Sequence, residues 1–128
     1  MILVDTSVIV AWLDQSHSQH QACAKAVENW AKRGRLAVST VTHGELAAGG
    51  RTREAVNEDL RHFEIIPLDA DAAWRAGMAF RQYRRKDSDD PVLPDFLIRA
   101  QAAVLSLPHL TNDRRRTKSF PDVDFEYA

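Results

Sequence analysis

Short apolar segments that alternate with longer helical segments constrain the fold of this 128-residue chain more than any other feature. The apolar segments are rich in Ile, Leu and Val, which favours buried strands. Strands that alternate with helices are typical of a parallel sheet covered by helices on both faces. The sequence therefore predicts an α/β fold. Its predicted strands cover 2–4, 36–38, 64–68 and 109–110, with an edge strand over 123–127.

The segments between these strands have the features of helices. Val8–Leu13 is almost wholly apolar and follows Thr6 and Ser7, two residues that favour the start of a helix, so we predict a buried helix there. Pro94 favours a helix start because its missing N–H costs nothing at that position. The sequence KDSDDP, at 86–91, predicts a loop. Further predicted helices cover about 18–32, 40–49, 52–62, 69–85 and 94–106.

Composition and cysteine content narrow the class of protein. Hydrophobic residues make up 45% of the chain, enough for a core, and the length suits one domain, which we expect to cover 1–128. The single cysteine, Cys23, cannot form an internal disulfide, which favours a reducing compartment. No apolar run approaches the roughly 18 residues of a membrane helix, and no basic region marks a secretory signal. We therefore expect a cytoplasmic protein that is not attached to a membrane.

Four acids stand at positions where their chemistry needs an explanation. Asp5 follows the first strand, and Asp113 follows the fourth. Asp95 lies in the first turn of a helix, just after Pro94, and Glu45 lies in a helical segment among small residues. Each acid taken alone has a structural explanation: a helix cap, an interaction with the helix dipole, or an exposed surface position.

Taken together, the four acids predict a metal site. Ligands of open α/β sheets gather at the carboxyl ends of the strands, where Asp5 and Asp113 would emerge together. Carboxylates held close together repel one another and raise each other's pKa. A hard divalent cation removes that cost, and Mg²⁺ and Mn²⁺ prefer oxygen ligands. The sequence therefore predicts a site for Mg²⁺ or Mn²⁺.

Four short motifs, in this order, resemble the PIN domain family: VDTSV at the start, HGEL followed by Gly49, PDFLIRA, and LTNDRR. The length and the order of the motifs further resemble the ribonuclease toxins of VapBC-type toxin–antitoxin pairs. The resemblance covers nearly the whole chain. It implies a three-layer α/β/α sandwich, with a Rossmann-like parallel sheet of about four to five strands. One departure is Phe96, where the family more usually has a small residue.

The resemblance also implies an activity. Members of this kind are Mg²⁺- or Mn²⁺-dependent endoribonucleases that hydrolyse RNA phosphodiester bonds and act as toxins. Their partners are an RNA substrate, a cognate antitoxin protein and a second copy of the toxin in a homodimer. By resemblance, the family's acidic site corresponds to Asp5, Glu45, Asp95 and Asp113, and a hydroxyl beside it corresponds to Thr111. Ser7 is a further polar neighbour of that site.

Three consecutive arginines follow the last of the four acids. Arg114, Arg115 and Arg116 are candidates for contacts with RNA phosphates, although solvated surface is the simpler explanation for any one of them. Two other classes of function stay open. A metal-dependent phosphatase also places acids at strand ends, and an RNA-binding domain with a degenerate catalytic site would share the same motifs.

Overall fold

Five strands form one sheet, and every neighbouring pair in it is parallel. The structure is a computed structural model that describes residues 1–86, 93–115 and 117–128. The strand order is β3-β2-β1-β4-β5, so the predicted α/β fold and its five strands are confirmed. The strands are β1 (Ile2–Val4), β2 (Leu36–Ser39), β3 (Glu64–Ile66), β4 (His109–Thr111) and β5 (Phe125–Tyr127).

The helices lie where the sequence predicts them, with differences at their ends. The first helix begins at Thr6, two residues earlier than predicted, because Asp5 rather than Thr6 or Ser7 is its N-cap. β3 ends at Ile66 and not at residue 68, since Pro67 follows it without an amide hydrogen for the ladder. Most of the predicted loop at 86–91 lies outside the described residues. The helices are α1 (Thr6–Leu13), α2 (His20–Arg33), α3 (Thr40–Ala48), α4 (Arg53–Asp59), α5 (Ala70–Lys86) and α6 (Leu93–Leu105).

The central strand β1 shows how the sheet separates two layers of helices. Successive side chains of a strand point to opposite faces. Ile2 and Val4 belong to the core cluster that includes residues of α1 and α2. Leu3 faces the other way and packs with Ile98 and Ala102 of α6. The predicted three-layer α/β/α sandwich is therefore confirmed. Across the described ranges, no helix is long and apolar enough to span a membrane.

The strand order fixes where a site can form. The chain adds β2 and β3 on one side of β1, then β4 and β5 on the other. The connections after β1 and β4 therefore leave the sheet in different directions, and a crevice opens between their carboxyl ends. Asp5 directly follows β1, and Asp113 follows β4 after one intervening residue. The fold thus brings two of the predicted acids to the edge of the sheet where ligands bind.

Candidate active site

A cleft of about 600 Å³ opens at this edge, and three of the four predicted acids line it: Glu45, Asp95 and Asp113. They come from α3, from the first turn of α6 and from the segment after β4. These acids are far apart in sequence, so the cleft exists only because the sheet and α6 bring them together. Other wall residues are Thr6 and Ser7 of α1, the turn at 17–19, and Asn112 and Arg115 beyond β4.

Asp5, the fourth acid, is 2% exposed and contacts the wall of the cleft from behind. Its Oδ1 accepts a hydrogen bond from the Thr6 amide at 2.9 Å, and Asp5 is the N-cap of α1, although a cap side chain more commonly bonds the amide two or three residues on. Its Oδ2 accepts from the Thr111 hydroxyl at 2.7 Å and from the Ser7 hydroxyl at 3.1 Å. Neutral donors therefore hold both carboxylate oxygens. Asp5 is at once a cap of α1 and an anchored acid of the site.

The hydroxyl of Thr6 links α1 to α3. Thr6 Oγ1 donates to Glu45 Oε1 at 2.7 Å and lies 2.8 Å from Thr42 Oγ1. Partial burial raises the pKa of Glu45, and the neighbouring carboxylates of Asp95 and Asp5 raise it further, while the Thr6 hydrogen bond lowers it. Glu45 therefore faces other negative charges in a partly desolvated place. The sequence predicted that the acids would raise each other's pKa, and the shift at Glu45 has that direction, with burial as its largest cause.

Asp113 lies in a segment that several hydrogen bonds hold in place. Its amide donates to Thr111 Oγ1 at 3.1 Å, so the same hydroxyl that holds Asp5 also holds the start of this segment. The Asp113 carboxylate accepts from the Arg115 amide at 2.9 Å, from Arg115 Nε at 3.0 Å and from Arg115 Nη2 at 3.2 Å. Thr111, predicted by resemblance, thus joins two of the acids through one buried oxygen atom.

His109 stands behind Asp5 in β4 and is fully buried. Its Nδ1 lies 3.0 Å from the Leu3 carbonyl oxygen, which assigns a proton to Nδ1 because a carbonyl only accepts. Burial lowers the pKa of His109, although the nearby Asp5 opposes that shift. His109 Nε2 lies 4.0 Å from Asp5 Oδ2 and has no hydrogen-bond partner among the described residues.

The donor set of the cleft has the chemistry of a site for a hard divalent cation. Glu45, Asp95 and Asp113 offer carboxylate oxygens. Burial is the main cause of the raised pKa of Glu45, and the negative charges of Asp95 and Asp5, which a cation would offset, raise it further. Over residues 1–86, 93–115 and 117–128, no three His, Cys, Asp or Glu side chains already stand close enough to hold an ion. Binding would therefore require these side chains to turn inward, and Asp113 to exchange its contact with Arg115.

The remaining predicted site residues differ in position. Ser7 lines the cleft, as does Arg115, whose side chain is 67% exposed. Arg114 lies over the ring of Tyr127 at 4.0 Å. Arg116 lies outside the described residues. The cleft wall also contains residues that sequence reasoning missed, namely Thr6, the turn at 17–19, and Asn112. Of these, only Thr6 could have been predicted, because it directly follows Asp5. Its hydroxyl group, however, is equally typical of a helix cap.

Known proteins are similar in sequence to this chain over most of its length. The PIN domain family model matches residues 2–126. Ribonuclease VapC10 of Mycobacterium tuberculosis (strain CDC 1551 / Oshkosh) is 37% identical over 113 residues, which cover 84% of this chain and 78% of that protein. The resemblance inferred from the four motifs is therefore confirmed.

Solved structures share the fold. A chain of VapBC2 from Rickettsia felis, bound to a DNA fragment from their promoter, has a TM-score of 0.75 at 21% identity, over 100% of this chain and 99% of that chain. A chain of a toxin–antitoxin complex from Klebsiella pneumoniae has a TM-score of 0.73 at 24% identity, over 96% and 95%. At these identities the likeness shows the fold alone. The match over 2–126 and the 37% identity to Ribonuclease VapC10 show that the chain belongs to the PIN domain family.

Proposed function

We propose that this chain is a divalent-metal-dependent endoribonuclease that acts as the toxin of a toxin–antitoxin pair. One observation carries the proposal: Glu45, Asp95 and Asp113 line a single cleft, and Asp5 contacts its wall. The sequence similarity to Ribonuclease VapC10 supports the choice of RNA as the substrate. Mg²⁺ or Mn²⁺ is the cofactor that suits these oxygen ligands.

The acids of the cleft have the roles that follow from their positions. Glu45, Asp95 and Asp113 would hold the cation together with Asp5. A bound cation of this kind lowers the pKa of a water molecule towards neutrality and stabilises the negative charge that develops on the phosphate. Thr111 and Ser7 orient the Asp5 carboxylate, and Thr6 orients Glu45 through its 2.7 Å hydrogen bond. The hydroxyl groups therefore position the acids without neutralising them.

Cationic side chains beside the acids suit the substrate's backbone. Arg115 lines the cleft, and its guanidinium can exchange the Asp113 carboxylate for a phosphate oxygen. Arg114 is held near the same edge by its stacking on Tyr127. We propose that these two residues, with Arg116 and Ser7, contact the RNA backbone. Such contacts position a substrate without specifying its sequence.

Cleavage of a defined RNA by the purified chain tests the activity. We expect cleavage with Mg²⁺ or Mn²⁺, none with EDTA, and none by Asp95→Asn. The matched control is Asp71→Asn, because Asp71 also lies in the first turn of a helix but outside the cleft. An Asp95→Asn variant that cleaves at the wild-type rate would overturn the assignment. Hydrolysis of a small phosphomonoester alone would favour a phosphatase, and RNA binding without cleavage would favour a degenerate site.

The toxin role has a separate test. The structure from Klebsiella pneumoniae compared above is a toxin–antitoxin complex, which supports a protein partner for this chain. Expression of this chain in the bacterial cytoplasm, where RNA is accessible, should arrest the growth of the cells. Co-expression of the antitoxin, which we expect the reading frame beside this chain's own to encode, should restore growth. We also propose a homodimer, which light scattering on the purified protein would detect. Growth arrest by the Asp95→Asn variant would contradict a toxic effect through this site.

A further inference from the structure

Arg99 is the most unusual residue behind the cleft. It lies in α6, one turn after Asp95, and it is 1% exposed. Its neighbours Ile98 and Ala100 are also fully buried. A guanidinium keeps its charge in proteins and is costly to bury unless hydrogen bonds satisfy it. The position of Arg99 therefore needs an explanation beyond packing.

Among the residues that the structure describes, the hydrogen bonds of Arg99 reach one segment. Its Nη1 donates to the Arg115 carbonyl oxygen at 2.9 Å, and its Nη2 donates to the Asp113 carbonyl oxygen at 3.4 Å. The guanidinium also lies 5.5 Å from the Phe125 ring. Its Nε has no hydrogen-bond partner within the described part of the chain. Arg99 thus bonds the backbone that carries an acid of the cleft.

These bonds join the helix that carries Asp95 to the segment that carries Asp113. Asp95 and Arg99 share a face of α6 because they are four residues apart. Asp113 and Arg115 belong to the segment that the guanidinium holds. The rigid helix on one side and the two carbonyl contacts on the other therefore set the spacing between the Asp95 and Asp113 side chains. In these two bonds Arg99 donates to backbone carbonyl oxygens and not to the Asp113 carboxylate.

We propose that Arg99 is a positioning residue that fixes the segment 113–115 against α6, and that this sets the affinity of the acidic cleft for a divalent cation. The part of this inference that concerns cation affinity rests on the proposed function. The part that concerns the fixing of the segment 113–115 does not. Loss of groups that orient metal ligands typically weakens metal binding by about tenfold to a hundredfold. We expect an effect of that size when Arg99 is removed.

The test compares Arg99→Met with a matched control in the same helix. Gln101 is 2% exposed, and its side-chain amide donates to the Ile66 carbonyl oxygen, away from the cleft. Gln101→Leu therefore removes a buried hydrogen bond to backbone without touching the segment 113–115. Two measurements are made on each full-length variant: hydrogen exchange of the 113 and 115 amides without metal, and Mn²⁺ affinity by calorimetry.

Arg99→Met should speed exchange at 113 and 115 and weaken Mn²⁺ binding about tenfold or more, while Gln101→Leu should leave both within about twofold of wild type. Arg99→Lys keeps the charge but lacks the planar guanidinium group, so its exchange rates and Mn²⁺ affinity should lie between those of the other two variants. If Arg99→Met does not fold, Arg99→Lys provides the test. Unchanged exchange in the folded variants would overturn the inference. If the wild type binds no Mn²⁺ but exchange quickens, the positioning role stands and the metal proposal fails.

Discussion

Replacing Thr111 with valine is a stringent test of how this site is built. Thr111 is fully buried, and its hydroxyl makes two hydrogen bonds in opposite directions. It donates to Asp5 Oδ2 at 2.7 Å and accepts from the Asp113 amide at 3.1 Å. Valine has nearly the same shape, so the substitution removes these two bonds and leaves the packing of β4 almost unchanged.

The two bonds have different expected contributions to the free energy of unfolding. A hydrogen bond to a charged group contributes about 1.5–3 kcal/mol, and a bond between neutral groups about 0.5–1.5 kcal/mol. The hydroxyl should therefore contribute about 2–4.5 kcal/mol in total. Since typical domains are stable by about 5–15 kcal/mol, Thr111→Val should still fold but with much reduced stability.

Urea unfolding followed by circular dichroism measures the effect. Thr111→Ser keeps the hydroxyl group and should therefore recover most of the unfolding free energy that Thr111→Val loses. Ser7→Ala removes another bond to Asp5 Oδ2, but Ser7 is only partly buried, so its effect should be the smaller one. Thr111→Val should also slow RNA cleavage. An unfolding free energy within about 0.5 kcal/mol of wild type would refute the reasoning, since substitutions that break no buried interaction have effects of about that size.

Two further predictions follow from the acids and from the core. The folded-state pKa of Glu45 is raised, so ionising Glu45 destabilises the fold as pH rises from the ordinary value of 4.5 through that raised pKa. Metal-free Glu45→Gln should therefore be more stable than wild type in urea at pH 7, with a smaller advantage at pH 4; the reverse trend would contradict this. Phe96 is fully buried and its ring contacts Phe80, Tyr83 and Phe120. Phe96→Ala should lower the free energy of unfolding by about 3–5 kcal/mol, and a loss below about 1 kcal/mol would show that the cluster does not stabilise the fold.

The sequence was sufficient for the fold because each strand is a short apolar segment with a clear boundary. Ile2–Val4 is fully buried on both faces, which a continuous apolar run predicts for a central parallel strand. Element ends were less predictable. Thr6 reads as a helix cap in the sequence, but in the structure it starts α1 and its hydroxyl bonds Glu45. Only the neighbouring helix α3 decides between these two uses.

The sequence also predicts where the acids of the candidate site lie, and the resemblance names Thr111 and Ser7 beside them, whereas the role of Arg99 was not predicted. Asp5 and Asp113 follow strands, so topology alone brings them to one edge of the sheet. Arg99 interrupts an apolar helix, which signals an unusual buried charge, but nothing in the sequence names the carbonyl groups that it bonds. Phe96, where the family more usually has a small residue, is explained by the aromatic cluster that fills the space beside α5.

The supporting groups share one electrostatic property. Hydroxyl groups of Thr6, Ser7 and Thr111 bond the carboxylates of Glu45 and Asp5 as neutral donors, so these acids are oriented while their charge is preserved. A site whose acids were all paired with buried cations would have little negative charge left to attract a metal ion. Asp113 is paired with a cation, but its partner Arg115 is largely exposed and not buried, so this contact exchanges easily with solvent or substrate. The hydroxyl donors thus orient the acids while leaving their charge, and the exposed Arg115 is a cation that a divalent ion would displace from Asp113.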